Sequence, residues 1–152
     1  MNRPDCGPEG DSRLFPEHRI RVVARLEELS RLLEFVRSST PLGEFPPARV
    51  GEIELVLEEA LVNIMNYAYP ETPGELELRV ATLPGGRLRI TICDWGVPFN
   101  PLGREDPDLD LDLTKRPIGG LGIFFIKQFA DEVAWQRRGD ENLLELDFEP
   151  NH

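Results

Sequence analysis

Residues 48–69 constrain this chain most: they contain no proline, and they are closed off by Pro46-Pro47 before them and Pro70, Pro73 and Gly74 after them. Proline inside a helix removes a backbone donor and clashes with the preceding turn, so this punctuation marks out one long helix. At about 100° per residue, with Ile53 at zero, Leu57, Ala60 and Ile64 fall within about 40° of it and predict the core stripe. Glu52, Glu59, Asn63 and Asn66 fall between about 220° and 280°. Val56 and Tyr67 border that polar stripe on one side, Leu55 and Val62 on the other. It therefore reads as a polar channel between apolar margins rather than an ordinary wet face. Glu54 and Glu58 lie elsewhere and read as solvent charges.

The rest of the chain supplies what this helix must pack against. Residues 18–24 carry Ile20, Val22 and Val23 between basic residues and predict a strand. Residues 26–36 then place Leu26, Leu29, Leu32, Leu33 and Val36 at helical spacing. Two strand-like runs, 75–83 and 87–93, flank Pro84-Gly85-Gly86, a hairpin signal. Residues 95–120 are rich in Pro, Gly and Asp and predict a long loop, of a length that usually serves function. A helix over 121–129 and strands over 133–137 and 143–148, joined at Gly139-Asp140, close the chain. The order β α α β β loop α β β predicts an α+β fold: a two-layer α/β sandwich with helices on one face of a mostly antiparallel sheet. Residues 1–16 hold too little apolar material to repay ordering and read as a disordered tail, leaving 17–150 as the single domain.

Charge narrows the partners. Seventeen Lys and Arg against 28 Asp and Glu leave a net charge of −11, which repels a phosphate backbone and argues against nucleic acid. A basic protein surface, or a nucleotide neutralised by a metal ion, is still compatible. No apolar run reaches the roughly 20 residues that span a bilayer, so no membrane association is expected. Cys6 and Cys93 form neither a disulfide framework nor a zinc-site spacing, and the N-terminus has no signal-peptide core, which makes the cytoplasm the expected location.

Three segments carry candidate chemistry. Glu59 and Asn63, one turn apart in a partly buried groove, suit a hard cation and a hydroxyl that must lose a proton, although such a pair is more often simply solvated. Asp94-Trp95-Gly96-Val97-Pro98-Phe99 ends an apolar run with an acid, which is costly there unless it meets donors such as an exocyclic amine; an Asp-initiated turn explains it equally well. Gly119-Gly120-Leu121-Gly122 precedes a helix and offers backbone N–H groups to a phosphate, or else a hinge. Lys115 and Arg116 stand just upstream, able to meet phosphate oxygens or merely to be solvated.

In this order and spacing the three segments resemble the N, G1 and G2 boxes of the Bergerat-fold (GHKL) ATPases, the superfamily of gyrase-type ATPases, histidine kinases and mismatch-repair ATPases. The likeness is strongest to the anti-sigma-factor serine/threonine kinases of bacterial partner-switching systems and covers residues 18–148, with residues 57–69 as the N box. The resemblance implies ATP and Mg²⁺ as cofactors. It implies that Glu59 is the catalytic base, that Asn63 holds Mg²⁺, and that Asp94 accepts the adenine amine. Asn66, Tyr67, Gly96, Phe99, Lys115, Arg116, Gly119, Gly120, Leu121 and Gly122 complete the expected nucleotide site. Gly96 is there to let the base approach, and residues 100–118 form the lid. The implied partners are an anti-anti-sigma (STAS-type) protein, a sigma factor and, since relatives are often dimers, a second copy of the chain.

Four features depart from that pattern. Tyr67 replaces a histidine common in the anti-sigma kinases, Pro98 replaces a second glycine, the last strand lacks a threonine, and the lid is acidic at Glu105, Asp106, Asp108, Asp110 and Asp112. They keep a second expectation in view, an ATP-binding module that switches partners without transferring phosphate. A free-standing histidine-kinase domain ranks below both, because His18 and His152, the only histidines, do not lie in a phosphoacceptor helix.

Overall fold

The computed structural model describes residues 17–98 and 120–150. Its elements are β1 (Glu17–Val23), α1 (Leu29–Ser39), α2 (Pro47–Tyr67), β2 (Glu75–Thr82), β3 (Leu88–Asp94), α3 (Gly120–Phe129), β4 (Glu132–Arg138) and β5 (Glu141–Phe148). The predicted order holds, with boundaries moved by one to three residues. The expected helix start at Leu26 is instead a short 3-10 turn, Leu26–Glu28, which leads into α1. The expected tail over residues 1–16 and lid over residues 100–118 lie outside the described residues.

All strand pairs are antiparallel, in the order β1-β2-β3-β5-β4. Strand alternation explains how the sheet divides its faces. Leu76, Leu78 and Val80 of β2, Leu88, Ile90 and Ile92 of β3, and Leu144, Leu146 and Phe148 of β5 join one core cluster with Leu32 and Val36 of α1 and Ile53, Leu57, Ala60 and Ile64 of α2. The intervening residues carry ion pairs on the other face, such as Arg21 to Glu77 at 3.2 Å and Arg89 to Asp147 at 2.8 Å. This is the expected two-layer α+β sandwich. Cys93 packs on that outer face with Leu143 and Trp95. The predicted hairpin forms at Gly85 and Gly86, whose φ values of 82° and 81° only glycine adopts without strain.

α2 buries more than its predicted stripe, because Val56 and Leu61 are also fully enclosed. The polar stripe is graded rather than uniform. Asn63, nearest the core in angle, is buried at 2% exposure, Glu52 and Glu59 are half-buried, and Asn66, farthest round, is exposed. Arg49 at the start of α2 is buried as well, and four groups receive it. It donates to the carbonyls of Phe129 (2.7 Å) and Glu149 (3.2 Å), to Glu52 (3.2 Å), and to the carboxylate of Asp131. Its guanidinium lies 5.3 Å from the Phe148 ring centre. This cluster ties α2 to the C-terminal ends of α3 and β5.

Candidate functional site

At the other end of α2 and β5 a small pocket opens between the helices and the sheet. It is lined by Ala60, Asn63 and Ile64 of α2, Ile92 and Asp94 of β3, Ile126 of α3, Trp135 of β4, and Asn142 and Leu144 of β5. Helix geometry turns Asn63 inward beside Ala60 and Ile64. Strand alternation carries Asp94 to the same side as Ile90 and Ile92.

Asn63 is the anomaly in this pocket. Both its amide oxygen and its amide nitrogen are buried, and neither has a hydrogen-bond partner among the described residues. Leaving such a group unsatisfied costs about 1–3 kcal/mol. Nearly all buried polar groups are paired, so an unpaired carboxamide beside a pocket marks a place where a water, an ion or a ligand group supplies the missing partner.

Asp94, 3% exposed, is half satisfied. Its Oδ1 accepts from the Gly96 N–H at 2.9 Å and from Asn142 Nδ2 at 2.9 Å. Its Oδ2 has no partner among the described residues and is left to a donor entering the pocket. Burial pushes the carboxyl above the ordinary range, while the bonds from Asn142 and Gly96 and the charge of Arg137 pull it back. The bond to Gly96 closes the Asp-initiated turn that was one of the two sequence readings of this segment, and it occupies only one of the two carboxylate oxygens.

Gly96 is required by the packing of the fold itself. A Cβ built on it would lie 2.1 Å from the Ala68 carbonyl oxygen, and Val97 N–H donates to that same oxygen at 2.8 Å. The close approach is that of the C-terminal turn of α2. Tyr69 braces the same junction, its hydroxyl donating to the Glu75 carbonyl at 2.5 Å and accepting from Trp95 N–H at 2.9 Å.

The pocket therefore unites Asn63 and Asp94 from two separate motifs. Glu59, Asn66 and Tyr67 are not among its lining residues. Glu59 is half-buried, and desolvation, followed by the neighbouring Glu58 charge, raises its carboxyl above the ordinary range. Gly120, Leu121 and Gly122 form the first turn of α3, where backbone N–H groups lack intrahelical partners. Phe99, Lys115, Arg116 and Gly119 lie outside the described residues. Two polar groups at the site were not found from the sequence, Asn142 and Arg137. The signal for Asn142 was the alternation Leu144, Leu146, Phe148, which extends back to it once β5 is begun two residues earlier than predicted, and that for Arg137 was the alternation Val133, Trp135 along β4.

The donor set fits a magnesium nucleotide in kind. Mg²⁺ prefers hard oxygen donors and is ordinarily held by one or two protein groups together with phosphate oxygens and water. Asn63 Oδ1 is such a donor. No group of three or more His, Cys, Asp or Glu able to hold a metal occurs among the described residues, so any ion here would take its other ligands from phosphate and water. The free volume of about 10 Å³ is room for about one water, so entry of a purine ring requires the lining side chains to move apart.

Comparison with known proteins bears on this geometry. The family model for the histidine kinase-like ATPase domain matches residues 22–148. The serine-protein kinase RsbW of Bacillus thuringiensis (strain Al Hakam) is 32% identical over 101 residues, which are 64% of this chain and 61% of that protein, so the chain spans less than two thirds of the relative it matches. Among solved structures, that of the RsbU and RsbW domains of Rv1364c from Mycobacterium tuberculosis superimposes with a TM-score of 0.60 at 13% identity, covering 88% of this chain and 32% of that one. The blue-light activated histidine kinase of Erythrobacter litoralis EL346 gives a TM-score of 0.52 at 23% identity, covering 70% of this chain and 32% of that one. At these identities the two structures establish a shared fold.

Proposed function

The chain belongs to the histidine kinase-like ATPase domain family, and on that premise we propose that it is an ATP-dependent protein serine/threonine kinase acting as an anti-sigma-type regulator. In this reading residues 17–150 form the ATPase domain. The observation that carries it is the buried, unpartnered amide of Asn63 in one pocket with the half-satisfied carboxylate of Asp94. One group lacks a cation or donor, the other lacks a donor, and adenine nucleotide with Mg²⁺ supplies both. The similarity to RsbW serine-protein kinases supports the same reading.

Asp94 Oδ2 accepts the exocyclic amine of adenine, which is a charge-assisted bond and therefore stronger than a neutral one. Asn63 Oδ1 binds Mg²⁺, which when present neutralises phosphate charge. The first turn of α3 at Gly120, Leu121 and Gly122 presents backbone N–H groups to the phosphates. Phe99, Gly119, Lys115 and Arg116 belong to the same site in this reading, with Asn66 and Tyr67 at its rim. Glu59 takes the proton from a substrate serine or threonine, and desolvation, which raises its carboxyl above the ordinary value, makes it a stronger base than an exposed one. The substrate is an anti-anti-sigma (STAS-type) protein, and the sequestered partner is a sigma factor, which places the protein in the cytoplasm. No described helix is long and apolar enough to cross a membrane. β1 is a sheet edge and is the surface assigned to a second copy of the chain.

Calorimetry with ATP, with and without Mg²⁺, followed by phosphate transfer to an anti-anti-sigma protein, tests this reading. Glu59→Ala should abolish transfer and leave ATP affinity within about twofold, since the side chain contributes to the transition state rather than to binding. Tight ATP binding with no transfer by the unaltered protein would establish the alternative, a nucleotide-dependent partner switch. No heat with any adenosine phosphate would end both.

A further inference from the structure

Asp94, Asn142 and Arg137 occupy one row across three neighbouring strands, because Asp94 pairs with Asn142 and Asn142 pairs with Arg137. Asn142 Nδ2 donates to Asp94 Oδ1 and to the Val97 carbonyl, each at 2.9 Å. Arg137 Nη1 donates to Asn142 Oδ1 at 3.2 Å and to the Gly96 carbonyl at 2.8 Å, while its Nε donates to the Gly139 carbonyl at 3.0 Å.

We infer that Arg137 is a positioning residue for base recognition: together with the Val97 carbonyl, which accepts from the other end of the same amide, it fixes which way the Asn142 amide faces, and through it which oxygen of Asp94 is offered to the ligand. The inference rests on the proposed adenine site but names a residue that does not line the pocket. Arginine has donors and no acceptor, so only the oxygen of the Asn142 amide can face it. That leaves the amide nitrogen toward Asp94. With the amide turned over, two acceptors, Asn142 Oδ1 and Asp94 Oδ1, would face each other at a distance now spanned by a hydrogen bond.

Consequences for selectivity follow from the same bonds. Gly96 N–H and Asn142 Nδ2 together saturate Asp94 Oδ1, so the oxygen left for the ligand is Oδ2, an acceptor with no donor of its own. Such an edge selects a base carrying an amine at the facing position and rejects one carrying a carbonyl there, which separates adenine from guanine. Arg137 also holds the Gly96 carbonyl and so keeps the turn that aims the carboxylate.

The test measures ATP and GTP affinity calorimetrically for the full chain and its Arg137 variants, with thermal melts to verify folding. Arg137→Lys keeps a donor without an acceptor and should retain the preference for ATP. Arg137→Gln can accept as well as donate, no longer dictates the amide, and should weaken ATP about fivefold to tenfold while narrowing the ATP to GTP ratio. In an Asp94→Asn background Arg137→Gln should cost nothing further. An Arg137→Gln protein that binds and discriminates like the unaltered one, or that loses the same factor in both backgrounds, would overturn the inference alone. An unaltered protein that binds neither nucleotide would overturn the proposed site and this inference with it.

Discussion

The two ends of α2 hold two buried polar clusters built on opposite principles. At the N-terminal end, Arg49 is 2% exposed and meets two carbonyls and two carboxylates, and Asp131 also accepts from Glu149 N–H at 2.7 Å. At the C-terminal end, Asn63 has the same exposure and no partner for either amide atom, and Asp94 keeps one oxygen unused. Burial alone does not separate a structural group from a binding group. What separates them is whether their hydrogen-bonding capacity is already filled.

That contrast is broken most forcefully by removing Arg49. Arg49→Met takes the guanidinium away from the buried Asp131 carboxylate and from two carbonyls, and should cost about 3–5 kcal/mol of stability by denaturant unfolding. ATP affinity of the material that remains folded should not change. At the opposite end the signs invert.

Asp94→Asn should weaken adenine nucleotide binding by about 1.5–3 kcal/mol, roughly tenfold or more, since the charged acceptor is lost. It should not reduce stability. Burial raises the Asp94 carboxyl above its unfolded value, so the native state binds the proton more tightly. Its contribution to stability therefore falls as pH rises from the unfolded pKa through the folded one, and the ionised form above that window is the costly one. Nucleotide affinity should run the other way, rising with pH through the folded pKa, which burial raises above that of an exposed aspartate. Affinity measured across the acid limb, compared with the stability curve, checks both signs; parallel curves would remove Asp94 from the site.

The smallest effect sharpens the comparison. Asn63→Leu replaces an unsatisfied amide with an apolar group of similar size and should raise stability by about 1 kcal/mol in a thermal or urea melt. The same change should remove the Mg²⁺ dependence of tight ATP binding. A loss of stability would mean that Asn63 is satisfied within the fold and belongs with Arg49 instead.

Much of this contrast was readable before the fold was known, and some was not. The helical repeat placed Ile53, Leu57, Ala60 and Ile64 in the core, and the structure buries all four. It also placed Asn63 closest to that stripe among the polar residues, which is why it alone of them is enclosed. The acid at Asp94 was visible as the end of an apolar run. Arg49 was not singled out, since an arginine early in a helix normally lies in solvent, and its burial depends on Phe129, Asp131 and Glu149, 80 or more positions away along the chain. Asn142 and Arg137 escaped notice for a related reason. Asn142 is 48 positions from Asp94 and its pairing is a matter of which strands become neighbours. The contact of Gly96 with the Ala68 carbonyl was not legible either, because it depends on how the end of α2 meets the end of β3.

The sequence by itself determined the elements and the face each turns inward, because repeats of 3.6 and 2 residues are properties of a short stretch of chain and need no distant partner. It also carried the three motifs that resemble the ATPase boxes. The tertiary structure alone decided that β5 lies between β3 and β4, and with it that, among the described residues, Asp94 has one oxygen paired, Asn63 has neither amide atom paired and every side-chain nitrogen of Arg49 is paired. Whether a polar group is filled depends on partners brought from far along the chain, and no local repeat encodes them.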